Sequence, residues 1–442
     1  MNSKAIIFIL IIALLSVALI LMGVPKANHS EVHTYNSNTS SAKSNLTTVS
    51  STGREAIFID CRDPSRKPNL PEYVVKLNVP THAILKIKDK IYALGGYRPL
   101  GVAVILSEDL RPLCQVELEY EIDKAEKYDE DRFVAMQQWW SYYPTIGSII
   151  MFDSGLNVIW SIEGNFTDFK VSNGKIYALE YRGDFCYLDI FDGNGNLVKS
   201  FKAVDLKEVF NVEEIPEEVK DSAEISIEVR GDKIYVAYTT WHYVSGGVAG
   251  PFKTILSRFD EKGNLEIKKV IYETEKPEVV NSILSYKDEF ILAISSSACR
   301  YLFIDEDGDI LGEARWKPPF GEGCGAGAKV FDDRVYILGW DPNIFAGFVG
   351  FIDDSVYADV SSLYYTEAQV IFVKKDSVWQ DNSVVRDILL DDDKLYVIGL
   401  VQMDKPSGAF IVRLDPYLSA DISTLLEQAD VVYLEDIPPC KP

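Results

Sequence analysis

Histidine is scarce: there are four in 442 residues, and His82 and His242 are the two beyond the first fifty. A centre with three histidine ligands is therefore excluded from the folded part, and a catalytic triad would have to recruit one of these two. No G-x-S-x-G elbow, HExxH pair or G-x-x-x-x-G-K phosphate loop occurs. The six cysteines include no CxxC pair and have no histidine at metal-ligand spacing, so the motifs point to no metal and no cofactor. Basic residues are also short, 44 Lys and Arg against 67 Asp and Glu, for a net charge of −23. A surface that acidic repels phosphate backbones, which argues against nucleic acid as a partner. Long helical periodicity is nearly absent as well, and Ile422 to Ala429 is the best short helix.

What is present begins with Ala5 to Val24, an apolar run of 20 residues interrupted only by Ser16. That matches the ~20 residues needed to span a hydrocarbon core, whereas a cleaved signal has a core of ~7–15. Lys4 precedes the run, so residues 1–4 are expected in the cytoplasm, 5–24 in the membrane as a signal-anchor, and the rest outside. Two alternatives are cleavage after Ala27, although Pro25-Lys26-Ala27 is not a small-x-small site, and pilin-type processing at Lys4-Ala5 before Ile6-Ile7. From Asn28 to Thr52, 16 of 25 residues are Ser, Thr or Asn, too polar to build a core. Residues 25–54 therefore read as a tether, with glycosylation sequons at Asn28, Asn38 and Asn45 and a fourth far downstream at Asn165.

The remainder, 55–442, is repetitive. A tight turn followed by a strand with an aromatic at its first or second position recurs seven times, 41 to 60 residues apart, at Tyr92, Phe133, Tyr177, Tyr235, Phe290, Tyr336 and Tyr396. Each copy is followed by a loop, a second apolar strand, a second turn such as Asp192-Gly193-Asn194-Gly195-Asn196, and a further strand. Turns of Asp, Gly and Asn tolerate the positive φ that tight hairpins require. One unit thus reads as four antiparallel strands, A to D, and seven units as an all-β, seven-bladed β-propeller behind the transmembrane helix, with six or eight blades as alternatives. Over roughly residues 73–437 the pattern resembles the quinoprotein-type and Kelch-like β-propeller superfamily, as an architecture and not as one family. Kelch's double glycine follows the repeated aromatic strand once, at Gly95-Gly96, and there is no repeating WD or Asp-box pattern.

The seventh unit has A, B and C strands (384–390, 395–400 and 409–414) but no convincing D strand, while Glu72 to Val79 looks like a D strand with no unit before it. The segment is expected to pair into blade seven and close the ring. Cys61 and Cys440 would then lie close together, and a disulfide between them is the expected lock.

Loops between B and C strands, and between one blade's D and the next blade's A, share one face. Tyr97, Trp139, Trp140, Tyr181, Trp241, His242 and Trp340 gather in the B–C loops and are the candidate binding residues, since flat rings suit both sugars and protein partners. The competing reading is that these rings pack between blades. On the opposite, turn-bearing face, Asp305-x-Asp307-x-Asp309 resembles part of a calcium loop but has Trp316 where a bidentate Glu belongs, and reads as a hairpin turn. Gly321 to Gly327 lacks the following helix that a dinucleotide site needs, and Arg182-Gly183-Asp184 fits an ordinary turn. The expectation is a membrane-tethered, cell-surface, non-catalytic module that binds a protein or glycan. The alternatives are a glycosidase or lyase using carboxylates of the channel, or a structural component of the envelope.

Overall fold

The computed structural model describes residues 58–60, 73–97, 100–137, 147–215, 223–244, 247–296, 299–316, 325–331, 334–341, 346–352, 364–365, 370–372, 383–401, 408–414, 431–432 and 436–440. The expected anchor, the tether with Asn28, Asn38 and Asn45, Cys61, Trp139, Trp140 and the Ile422–Ala429 helix lie outside these residues. Among the described residues, no helix is long and apolar enough to cross a membrane.

Seven sheets form among the described residues, each with a core of four antiparallel strands, and blades 5 and 7 each add a short parallel strand. Blade 1 comprises Thr81–Ile87, Lys90–Tyr97, Leu100–Leu106 and Pro112–Leu118, and blade 2 Lys124–Lys127, Arg132–Gln137, Ser148–Asp153 and Val158–Glu163. Blade 3 comprises Phe166–Ser172, Lys175–Arg182, Phe185–Asp192 and Leu197–Asp205, and blade 4 Ile225–Arg230, Lys233–Val244, Gly247–Asp260 and Leu265–Thr274. Blade 5 runs Val279–Tyr286, Glu289–Ser295, Cys299–Ile304 and Ile310–Trp316, and blade 6 runs Gly325–Phe331, Arg334–Asp341, Ala346–Ile352 and Val370–Phe372. Blade 7 takes A, B and C from Ser383–Asp391, Lys394–Val401 and Gly408–Leu414. Its D strand is Tyr73–Leu77, which pairs Val75 with Ile411 and Leu77 with Ala409, some 330 residues away. The chain is a seven-bladed β-propeller.

The repeated aromatic explains why the blades stack. All seven side chains are 0–1% exposed, so each removes a large apolar surface from water, worth roughly 2–3 kcal/mol. Where the ring is a tyrosine it also needs a partner for its hydroxyl. Tyr92 of blade 1 donates to the Ser154 carbonyl at 2.7 Å, Tyr177 of blade 3 to Glu261 at 3.1 Å, and Tyr396 of blade 7 to the Glu108 carbonyl at 3.1 Å. In each case the acceptor sits in the C–D turn of the following blade, so one side chain fills a seam and fixes its register. The same turns receive a second contact. Gly195 and Gly263, both with φ of +80°, lie where a Cβ would meet Trp160 and Phe201 from the preceding blade's D strand. Glycine is required there twice over, for the backbone conformation and for the ring.

The turns themselves are capped by an aspartate. Asp192 Oδ1 accepts from the amides of Asn194 (2.8 Å) and Asn196 (2.9 Å), and Asp153, Asp260 and Asp305 do the same in their own blades. The Asp305 triplet is therefore a hairpin turn, with Asp307 and Asp309 paired to Arg258 and Lys269. Hydrogen bonds from Asn196 and Asn264 hold the Asp192 and Asp260 carboxyls below the ordinary carboxylate range. In Asp153 partial burial pushes the other way, but the bonds from Asn157 and Gly155 outweigh it. A lowered pKa in the folded state contributes stability that is present above about pH 4 and is lost as the pH falls through the folded values. The thermal midpoint should therefore drop between pH 5 and pH 3, and the combined Asp153→Asn, Asp192→Asn and Asp260→Asn variant should show a shallower drop. An unchanged slope in that variant would contradict this assignment.

Ring closure corrects one expectation. Cys440 is bonded not to Cys61 but to Cys114, on the D strand of blade 1. The reason is the path of the C-terminal tail. Val431 and Val432 run parallel to Lys76 and Leu77 at the edge of blade 7. The chain then crosses the seam, burying Ile437 among Val75 and Leu77 of blade 7 and Ile84 and Ile91 of blade 1. It ends as a short extra strand on blade 1, where Gln115 N–H donates to the Pro438 carbonyl (2.9 Å) and Cys440 N–H to the Gln115 carbonyl (3.0 Å). Cys299 is also disulfide-bonded, while Cys186 is a free, buried thiol.

Candidate functional site

The A strands line the ring's axis, and four of them carry a bulge at the same place. The register shifts between Thr81 and Ala83 in blade 1, Phe166 and Asp168 in blade 3, Val280 and Ser282 in blade 5, and Val385 and Asp387 in blade 7. A bulge inserts one unpaired residue and re-aims its side chain. The inserted residues are His82, Thr167, Asn281 and Arg386, so two of the four carry chemistry to the loop-side mouth of the channel. The aspartates just after two of the bulges reach into the next blade: Asp168 accepts from the Ile227 amide at 3.0 Å and Asp387 from the Ile84 amide at 3.1 Å.

Below the bulges, alternate residues of neighbouring A strands form an ion-pair ladder. Lys124 Nζ lies 2.7 Å from Asp168 Oδ1 and donates to the Phe169 carbonyl at 2.6 Å, while Lys170 Nζ lies 3.1 Å from Glu228. Glu126 accepts from the Val171 amide at 2.8 Å, and Lys329 engages Asp387. Lys124, Lys170 and Glu126 keep 34%, 28% and 21% of their side chains exposed. Burial pushes the Glu126 carboxyl up, but Lys124 and Lys170 outweigh it and hold it low. Burial likewise opposes the charge on Lys124 and on Lys170, and the facing carboxylates prevail and keep both lysines charged. Glu228, and Glu224 at the mouth, are raised by burial.

At the mouth of the blade 1–2 seam, His82 meets Glu121 and Asp123 of the connection between these blades. The ligand-capable atoms of all three lie within 4.8 Å of one another, with His82 Nε2 at 3.4 Å from Glu121 Oε1. His82 is 39 residues before Glu121 in a chain with no metal motif, so no spacing in the sequence could have announced the cluster. Arg386, on blade 7's bulge, faces Asp123, whose charge partly offsets the burial that lowers the arginine's pKa.

The predicted aromatic residues separate into two groups. Trp241 is 6% exposed and packs edge-on to Phe210, with ring centroids 5.6 Å apart. Phe210 ends a short helix, Leu206–Phe210, capped by Asp205, which accepts from the Lys207 amide at 2.9 Å. Asn211, the left-handed residue closing that helix, hydrogen-bonds the His242 ring. Trp241 and His242 thus secure the helix between blades 3 and 4, and Trp241 presents no free ring. Tyr181 is half-buried in the same cluster and donates its hydroxyl to the Ala223 carbonyl. Tyr97 and Trp340 end the B strands of blades 1 and 6, and their side chains, like all of Trp139 and Trp140, lie outside what is described. Asn165 is half-buried in the blade 2–3 connection, its carbonyl accepting from the Tyr181 amide. Within Arg182-Gly183-Asp184 the arginine is engaged by Glu180 and Asp189, and Asp184 by Lys207 at 3.0 Å.

One long hairpin of this face has no signal in the sequence. Blade 4's B and C strands have 12 and 14 residues, against 8 and 8 in blade 3. Counted from the buried signature tyrosine, the hairpin continues four residues further, about 13 Å. Near its tip Val244 is 45% and Val248 52% exposed.

No protein-family model and no curated protein matches the chain. Solved structures similar to it include the β-propeller domain of the Trilobed protease from Pyrococcus furiosus, which has an open velcro topology (11% identity, 76% of this chain and 94% of that chain, TM-score 0.38). Pyrococcus horikoshii acylaminoacyl peptidase is similar at 9% identity over 74% of this chain and 51% of the peptidase, TM-score 0.43. BBS1N, solved in complex with ARL6DN, is similar at 8% identity over 78% of this chain and 96% of that one, TM-score 0.47. The strand pairing itself carries the assignment of fold.

Proposed function

We propose that this protein is a membrane-tethered surface propeller that binds a protein partner through its loop face, without catalysis. The observation that carries the reading is the blade-4 hairpin, which raises two exposed aliphatic side chains, Val244 and Val248, above the face. What sets them apart from the exposed aliphatics of the D strands, such as Val198 and Leu265, is their place at the end of an extended hairpin, where a partner can reach them. Aliphatic tips suit a protein cleft better than a sugar, which stacks on flat rings, and the candidate rings Trp241, Tyr181 and His242 are already engaged. The net charge of −23 favours a partner whose cleft has a basic rim. The 20-residue apolar run at Ala5 to Val24 supports the tether and a location at the cell membrane, single-pass, with the propeller outside.

The alternative, a hydrolase or lyase acting at the channel, has one observation in its favour. Protein packed around Glu224, just before blade 4's A strand, pushes its carboxyl up in the direction a general acid needs, although the residue is exposed to solvent. The carboxylates deeper in, Glu126 and Asp168, are instead bound by lysines.

The test is capture from membranes of the source organism by the full-length chain in detergent, beside a Val244→Asp, Val248→Asp variant with the same thermal midpoint. A partner retained by the natural chain and reduced at least tenfold by the variant is the expected result. Equal capture by both sinks the hairpin reading, and turnover of a glycan or peptide lost on Glu224→Gln would favour the enzyme.

A further inference from the structure

We infer that His82, Glu121 and Asp123 form a binding site for a divalent transition-metal ion of the zinc type, a site independent of the protein-binding role proposed above. The first argument is an orphan. His82 Nε2 is shielded from water and has no hydrogen-bond partner, and buried polar atoms of that kind are uncommon and call for an explanation. Its neighbour Glu121 Oε1 stands 3.4 Å away and makes no hydrogen bond to it. Two ligands bound about 2.1 Å from one tetrahedral ion stand about 3.4 Å apart. The contact that is poor as a hydrogen bond has the length of an edge of a metal site.

The second argument is placement. Glu121 is 7% exposed, so its carboxylate is turned into the seam beside His82 and not out to solvent. His82 reaches it because the blade 1 bulge sets both His82 and Ala83 against Leu94, turning the imidazole toward blade 2. The third is a further pair of orphans in the same seam. Gln137 (3% exposed) and Ser148 (0%) are cross-strand partners on blade 2, and both Gln137 Oε1 and Ser148 Oγ lack a partner. By alternation they share the strand face of Phe133, Ala135, Ile150 and Phe152, which pack against Ile122 between the two acidic residues. The upper end of this seam is therefore polar and under-satisfied, on the side where the cluster sits.

One imidazole and two carboxylates suit zinc better than magnesium or calcium, which prefer an all-oxygen set. The ion would tie blade 1's inner strand to the blade 1–2 connection at the loop-side mouth. Arg386 faces Asp123 and sets a limit on affinity by its charge.

The test uses the full-length chain in detergent, stripped with a chelator and titrated calorimetrically with zinc chloride, alongside His82→Ala and Asp123→Asn. The natural chain should take up one equivalent in this site, and each variant should weaken that binding by at least tenfold without a change in its metal-free thermal midpoint. Magnesium chloride should give no comparable heat. Because His29 and His33 also lie in the chain, zinc uptake counts for the site only where it is lost with His82 and Asp123. Uptake equal in all three proteins, or none in the natural chain, overturns the inference. If His82→Ala lowers the metal-free midpoint, Asp123→Asn alone decides.

Discussion

Replacing Asp168 by alanine should cost about 3–5 kcal/mol of stability, the range expected when one partner of an enclosed ion pair is removed. The carboxylate serves four donors at once: Lys124 Nζ at 2.7 Å, Ser226 Oγ at 2.9 Å, and the amides of Ile227 at 3.0 Å and Phe169 at 2.9 Å. Three of these belong to other strands, so its loss leaves Lys124 with Glu126, at 3.4 Å, as its facing carboxylate and uncouples blade 3 from blades 2 and 4. The 34% exposure of the Lys124 side chain and its second carboxylate, Glu126, place the figure at the lower end. Asp168→Asn keeps the shape and part of the bonding to Ser226 and Ile227, and should lie between alanine and the natural residue. Guanidinium unfolding midpoints measure both. A loss below 1 kcal/mol for the alanine variant would mean that the ladder lines the channel without holding the ring.

Cys114→Ser should be comparably damaging. The bond joins residues 326 apart in sequence, and the chain-entropy model gives about 5 kcal/mol for a loop of that length. Buried Ile437 and the two backbone bonds to Gln115 remain in the variant and keep part of the tail docked. The Cys114→Ser, Cys440→Ser double variant should match the single one, since both remove the same bond. Thermal midpoints of the three proteins check this, and a single variant as stable as the natural chain would show that the tail's packing alone closes the seam.

The fold was legible because its stabilising contacts repeat. An aromatic buried at 0–1% exposure in every blade leaves a periodic trace, and so do Asp–Asn turns that need positive φ or a capping carboxylate. The orphan strand at Glu72 to Val79 was legible for the converse reason, that one blade lacked what another segment had spare. Contacts that occur once left no trace. The partner of Cys440 depends on the tail's crossing of the seam, which no repeated feature marks. Trp241 and His242 read as a face because nothing in Leu206–Phe210, a helix of five residues, has enough periodicity to announce that it covers them. His82 acquires meaning only through a bulge, which shifts a side chain to another seam while leaving the strand pattern intact.

The central claim is that the N-terminal strand completes blade 7, and native-state hydrogen exchange tests it most directly. The amides of Tyr73–Leu77 bonded to Gly408–Leu414 should exchange as slowly as those of the blade 1 strand Lys90–Tyr97, on the full-length chain under native conditions. Exchange of Tyr73–Leu77 as fast as that of the Ser/Thr/Asn-rich tether, with Lys90–Tyr97 still protected, would contradict the closure.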